Sequence, residues 1–410
     1  MKRLQQGRWQ WWLAPVVLAL AGLFWVGTGS SSTAPASGAL AAAGATPSPP
    51  RAASAASASV VLKGAPFSSA GLQVRQEQRA LWQQRLERSQ AALDAYRQST
   101  LYPHGSQPAG ANPDQLYPNQ PISDEHTFRG TDGKPVPGLR LLTTQERVFV
   151  QGSETVRFTI SLHDANDKAL PLRIVRASAR EVPAPRTAAT TPELPLNFND
   201  EGTSGDLLPS DGVYSVQLQP ATQGFGGLLG QIRVEAFLQY REQQSSTFFD
   251  IIYTPEAPAS WAGGAREALE NGSLAFILKA NVRQAGRYVV TGRVDDATGK
   301  PFALLSFNDE VPAGAQEFRL VLFGKLVRDG KPAFPLTLRD VDAFLLRTDA
   351  FPDRALMPRL PGKVLTSQGY ALSSFSDAEW TSEERNRYLG ELSRDVVDAQ
   401  NHVEQLGKGP

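Results

Sequence analysis

The chain has 410 residues, 41% of them hydrophobic, with 41 basic and 41 acidic side chains. That length holds about two to three domains, and the balanced charge, with no basic stripe interleaved with aromatics, argues against a nucleic-acid partner. There is no cysteine, which excludes disulfides, thiolate metal sites, a cysteine nucleophile and the lipid attachment of a bacterial lipoprotein, so exported domains must be held by packing alone.

Residues 1–27 are expected to form a signal anchor or a signal peptide. Lys2, Arg3 and Arg8 precede an apolar run from Trp9 to Val26, whose length of about 18 residues is near the minimum for a hydrocarbon core. No further positive charge follows until Arg51. This asymmetry places the N-terminus in the cytoplasm and the bulk outside, with Trp9, Trp11 and Trp12 at the interface. Retention gives a single-pass protein of the inner (cytoplasmic) membrane. Cleavage in the small-residue stretch from Ser30 to Ala45 gives a periplasmic or secreted one. Residues 28–71 begin as a low-complexity Ala/Ser/Pro tract that cannot bury enough surface to fold, and read as a disordered linker.

Over 72–98 the apolar residues Val74, Leu81, Trp82, Leu86, Ala92, Leu93 and Tyr96 fall within an arc of roughly 140° at the helical period. This predicts an amphipathic helix that packs on its own chain or on a partner helix. Residues 99–136 carry six prolines among Gly, Asn and Asp, and two Leu-Tyr-Pro triplets ending at Pro103 and Pro118. An extended Pro-rich linker with docked tyrosines is expected there.

Residues 137–255 then alternate in short bursts. Val156, Phe158, Ile160 and Leu162 share one parity, as a half-buried strand requires. About seven such strands with turn signals between them fit a first Ig-like sandwich. Residues 272–348 repeat the pattern and predict a second. One turn is echoed: His163-Asp-Ala-Asn-Asp-Lys168 in the first block resembles Asp295-Asp-Ala-Thr-Gly-Lys300 in the second, turn chemistry that suits a hairpin. Residues 349–410 are a Pro-rich segment followed by a helix over about 377–406. Ser376 with Glu379, or Thr381 with Glu384, would form its capping box, and Gly390 would bend it. The expected fold class is therefore mainly β: two tandem Ig-like antiparallel β-sandwiches with flanking α-helices and an N-terminal transmembrane or signal helix.

The most pointed motif runs from Asn199 to Tyr214, with Gly205-Asp206 and Asp211-Gly-Val-Tyr214 ahead of a strand. It resembles a turn of bacterial surface and envelope proteins with choice-of-anchor or Ig-like β-sandwich domains. That resemblance implies architecture and is nearly silent on activity. Asp200, Asp206 and Asp211 also make the loop oxygen-rich, as calcium prefers, although their spacing is not that of an EF-hand. Backbone capping by Asp in a long turn is the competing reading.

The sequence selects no catalytic residue. His104, His126, His163 and His402 lack zinc spacing, and no nucleophile elbow or phosphate loop occurs. His163 with Asp164 is the one place to check for a Ser-His-Asp arrangement, against a polar strand end. Asp340, Asp342, Asp349 and Asp353 read as turns and strand ends. The expected function is a membrane-tethered, extracytoplasmic, non-enzymatic binding or scaffold protein of the bacterial cell envelope. Its partners would be an envelope protein or a glycan, with the membrane held through the N-terminal helix. No cofactor is expected apart from calcium at the acidic loop. An extracytoplasmic hydrolase with an unrecognised site and a regulatory or assembly subunit of a membrane complex are the alternatives.

Overall fold

Helix α1 (Ser69–Ser99) opens the part of the chain described by the computed structural model, which covers residues 69–184 and 186–408. The N-terminal apolar run and most of the low-complexity tract lie outside the described residues. Among the described residues, no helix is long and apolar enough to cross a membrane.

Helix α1 is followed by strand β1 (Ser106–Pro108), then β2 (Ile122–Arg129), β3 (Pro135–Gln145), β4 (Phe149–Gln151), β5 (Val156–His163) and β6 (Ala169–Leu170). Next come β7 (Arg173–Val182), β8 (Leu194–Leu196), β9 (Val213–Leu218), β10 (Gly230–Tyr240) and β11 (Gln243–Thr254). Strands β2 to β11 form the first block. One sheet has the order β2-β3-β5-β6, with β9 also paired to β5; the other runs β4-β11-β10-β7-β8. All pairings are antiparallel except β4 with β11. The alternation read from the sequence has a direct counterpart. Val156, Phe158, Ile160 and Leu162 on β5 and Ile232, Val234, Ala236 and Leu238 on β10 are all buried in one core shared by the two sheets.

The second block contains β12 (Ala259–Trp261), β13 (Arg266–Glu270), β14 (Ser273–Val282), β15 (Gly286–Asp295), β16 (Pro301–Val311) and β17 (Gly314–Leu322). Helix α2 (Gly324–Gly330), β18 (Thr337–Leu346), β19 (Arg354–Leu356) and β20 (Leu360–Thr366) complete it. Its sheets have the orders β1-β16-β15-β18-β19, with β20 on β18, and β12-β14-β13, with β17 on β14. They enclose a second core that includes Phe276, Tyr288, Val290, Phe318 and Leu338. The core is tight at Gly292, where a Cβ would stand 2.8 Å from a methyl of Leu320 and of Leu338.

The interval 99–136 differs most from the expected linker. Residues 100–121 are a strap on the second block, where β1 pairs with β16 and Ser106 is fully buried. The chain then enters the first block through β2, so that block begins at Ile122 and is inserted into the second. Prolines and glycines signal the absence of helix, and they leave carbonyls free to be captured by another element. The same holds after 348: β19 and β20 lie in the stretch expected to be Pro-rich tail, so the second block runs to Thr366.

The last helix, α3 (Glu383–Gly407), starts later than the sequence suggests and continues through Gly390. Its cap is Ser382, whose hydroxyl accepts from the Arg385 N–H at 3.0 Å. The Ser376 hydroxyl instead accepts from the Ala378 N–H. Helices α1 and α3 pack antiparallel: Trp82 stacks on His402 with centroids 3.9 Å apart, Tyr96 meets Tyr388, and Arg75 donates to the Lys408 carbonyl. Trp82 and Tyr96 of the α1 stripe are thus met within the chain, whereas Leu81 stays 65% exposed and Ala92 is exposed, so α3 covers the stripe only in part.

Candidate functional site

The acidic loop after β8 is a closed turn. Both Asp200 oxygens accept backbone N–H groups, from Asp211 and Gly212, each at 3.0 Å. Asp206, buried, accepts from the Gly202 N–H at 2.6 Å and the Ser215 hydroxyl at 3.3 Å. Asp211 accepts from the Val213 N–H at 2.9 Å. The three carboxylates come within 4.8 Å of one another. These bonds close a loop in which Gly202, Gly205 and Gly212 take positive φ. Loop closure accounts for the convergence of the three carboxylates that the sequence marked for calcium, and each oxygen keeps a lone pair beyond the one its donor uses.

The echoed turns are built alike. Asp164 accepts from the N–H groups of Asn166 and Lys168, and Asp296 from those of Thr298 and Lys300. These bonds hold both carboxyls below the usual range, led by the Lys168 N–H for Asp164 and the Thr298 hydroxyl for Asp296. Asp164 is therefore a turn cap. The group beside His163 is Asp167, at 3.4 Å from Nδ1, while Nε2 lies 3.1 Å from the Ser161 hydroxyl. A Ser-His-Asp order results, but on one outer strand face. Ser161 is only 6% exposed, its strand is paired on both sides, and Asp167 is bound to Arg140 at 2.9 Å. Acyl transfer needs a concave site and oxyanion donors; here the ladder has taken the backbone donors, and the contacts serve to satisfy His163.

The remaining histidines stay apart: His104 lies edge-on to Trp380, His126 is exposed on β2, and His402 belongs to the helix seam. Asp340 and Asp342 have a structural task that the sequence did not disclose. Arg293, 5% exposed, donates to the carbonyls of Gln115 (2.8 Å) and Asp340 (2.6 Å) and to Asp342 (2.7 Å). Arg339 donates to the Leu116 carbonyl, Asp295 and Asp340, and lies over the Tyr117 ring. Burial pulls the Arg293 guanidinium down against the opposing pull of Asp342. The second oxygen of Asp295 is buried without a partner. Tyr102 donates to Asp329 at 3.0 Å, and burial, then that carboxylate, pushes its hydroxyl up to about 12. Asp353 pairs with Arg354, and the Thr348 hydroxyl donates to Asp349.

A cleft that the sequence did not single out lies at one edge of the second block, between β12, β14 and β20. Its volume is about 270 Å³, and Trp261, Gly263, Gly264, Lys279, Leu360 and Lys363 line it. The Trp261 Nε1–H donates to the Pro358 carbonyl at 2.7 Å, which fixes the ring, and its other side meets Phe318. A Cβ on Gly263 or Gly264 would meet nothing within 4 Å, so the backbone there is open to approach. Three separated segments meet at this point, and only the Gly-Gly pair after a tryptophan marks it in the sequence.

No family model matches the chain, and no curated protein aligns with it. Solved structures with partial similarity include a DUF4785 family protein from Legionella pneumophila, at 14% identity and TM-score 0.37 over 55% of this chain and 57% of that one. Others are alpha-2-macroglobulin of E. coli, at 12% identity and TM-score 0.25 over 60% and 18%, and dimeric latent PorU from Porphyromonas gingivalis, at 12% and 0.17 over 60% and 20%. The chain spans less than two thirds of each. Likeness at this level carries no argument about activity. Among the described residues the chain is mainly β, with several antiparallel sheets and three α-helices.

Proposed function

We propose that the chain is a non-enzymatic binding or scaffold module of the bacterial cell envelope, tethered through its N-terminal segment and built on two Ig-like sandwiches. The observation that carries this reading is where its strongest polar groups are used. Arg293 and Arg339 bind the strap, and Arg385, 4% exposed, joins Thr100 and Glu379 at the root of the helix pair. Between the blocks, Arg359 donates to the Phe149 carbonyl and the Leu356 N–H to the Thr254 hydroxyl. These groups join strap, blocks and helices into one continuous unit, an organisation suited to holding surfaces in fixed register behind a long uncharged tract. Sheet edges and end loops are its natural recognition surfaces.

The test is protease protection in spheroplasts of a bacterial host expressing the full chain, together with labelling by a serine-reactive fluorophosphonate. Cleavage from outside, sedimentation with membranes and no labelling are expected. Labelling that Ser161→Ala abolishes would overturn the non-enzymatic reading, and protection of the β blocks from external protease would overturn the topology.

A further inference from the structure

We propose that the α1–α3 helix pair joins two copies of this chain, through one of its two faces, into a four-helix bundle. The inference goes beyond the binding reading above and does not depend on what the β blocks recognise.

The pair is thinly packed. No residue of α1 from 71 to 99 is buried, and α3 buries only Arg385, Val396 and Ala399. A helix draws most of its stability from the tertiary packing of one face, and α3 covers only part of the α1 stripe. At about 100° per residue, Val74, Leu81, Arg85, Arg88 and Ala92 fall within about 60° of arc on one flank of the seam. All but Val74 are exposed, Leu81 at 65%. Glu391, Asp395, Asp398 and His402 form the matching line on α3. For two right-handed helices running antiparallel, these lines lie on the same side of the pair. That side is marked by the stack of Trp82 on His402 and by Arg85 over the Trp82 ring. Val397, also exposed, points to the other side.

Charge selects the occupant. Helix α1 carries five arginines against three acids, and α3 carries six acids against three arginines. Yet among the described residues no ion pair crosses the seam: Arg97 and Arg385 go to Glu379, ahead of α3, and Asp398 meets His402 of its own helix. A second copy of the same face supplies what is missing. With the two-fold axis parallel to the helices, α1 of each copy lies on α3 of the other, and every neighbour is antiparallel, as in an up-down bundle. The contacts of Trp82 with His402 and of Tyr96 with Tyr388 set Arg85 level with Ala399 and Arg88 level with Val396. The two-fold axis keeps these levels. Arg85 therefore meets Asp398 of the second copy and Arg88 meets its Asp395, twice over, around a centre made by Leu81, Trp82 and His402. A two-fold axis across the helices would set arginines against arginines, which costs affinity. An anionic lipid surface would attract α1 and be repelled by α3.

The experiment uses the full chain in detergent. Sedimentation equilibrium should give a dimer that added salt weakens. Arg85→Glu with Arg88→Glu should weaken association about tenfold or more, and mixing that variant with Asp395→Arg, Asp398→Arg chains should restore it as a heterodimer. The chain lacks cysteine, so a single introduced thiol reports one position. Arg88→Cys chains co-expressed with differently tagged Asp395→Cys chains should form a mixed disulfide on oxidation, whereas Val397→Cys in place of Asp395→Cys should not. The substituted positions are exposed, and an unchanged helical circular dichroism and denaturation midpoint would show that the variants fold. Should the charge-reversed variants lose helicity, the thiol arm decides alone. A monomer at every concentration, a dimer indifferent to the reversal, failure of the complementary reversal to restore it, or cross-linking through Val397→Cys as readily as through Asp395→Cys would each overturn the proposal. A dimer held by the N-terminal segment alone gives the second of these results.

Discussion

Replacing Arg293 by Met tests whether the strap is an integral part of the second block. The substitution keeps most of the apolar stem and removes the guanidinium. Three acceptors lose their donor: the carbonyls of Gln115 and Asp340 and the carboxylate of Asp342. Removing one partner of a buried pair costs about 3–5 kcal/mol, because the other charge is left uncompensated. Asp342 is 28% exposed and keeps Arg359 at 3.8 Å, so water and that second cation offset part of the loss. The expected destabilisation of the second block is therefore at the lower end, about 3 kcal/mol. Urea denaturation followed by tryptophan fluorescence reads it, and limited proteolysis should cut between Asn112 and Gln120 in Arg293→Met before the wild type is cut. Changing Asp342 to Leu in the same chain should recover part of the loss, since no carboxylate is then stranded. A single variant within about 0.5 kcal/mol of wild type would refute the reasoning, as that is the range of an ordinary surface change.

The carboxylate of Glu181 should make the 183–193 loop acid-sensitive. Burial opposes its ionisation, but the amides and hydroxyls of Thr190 and Thr191 outweigh burial and hold the carboxyl below its ordinary 4.5. A folded value below the unfolded one means the stabilisation is complete above the ordinary value and disappears as pH falls through the folded one. Amide exchange at Thr190 and Thr191, corrected for intrinsic rates, should speed up over that window, and Glu181→Gln should flatten the profile at a cost of about 1–2 kcal/mol. Ser382→Ala should destabilise α3 by about 1 kcal/mol, with Ser382→Asp close to wild type, by helical circular dichroism in urea; equal loss in both would argue against a cap. Gly324→Ala should cost about 1–3 kcal/mol or more in the same denaturation assay. Its Cβ would stand 2.0 Å from the Gly272 carbonyl and 2.8 Å from the Ser376 nitrogen, backbone atoms that cannot step aside; a neutral result would show that the approach is looser than described.

Local patterning wrote much of the strand content into the sequence. The alternation from Val156 to Leu162 and the Asp-to-Lys turns at 164–168 and 296–300 depend on residues within a few positions of one another. The same is true of α1, whose stripe repeats at the helical period. Boundaries were less legible. Ser376, Thr381 and Ser382 all offer a hydroxyl ahead of helical sequence, and the capping residue depends on where the chain leaves the Gly272 carbonyl, which accepts from the Ser376 N–H. In the candidate cleft, Trp261 and Lys363 are about a hundred positions apart, and no spacing rule connects them.

What the sequence by itself determined is the class: a mainly β chain without cysteine, with charged and apolar residues placed at strand and helix periods. Those properties follow from side-chain direction along a single element, which the backbone geometry of that element alone enforces. Only the tertiary structure decided where Pro-rich segments belong. Residues 100–121 carry too few apolar side chains to announce a core, and they are held chiefly through their carbonyls by Arg293 and Arg339, more than 170 positions away. A backbone carbonyl is the same in every residue, so its partner is set by which side chains the fold brings to it. For that reason the insertion of the first block into the second, the α1–α3 seam and the cleft that Trp261 lines with Leu278 and Leu360 are properties of the packed molecule.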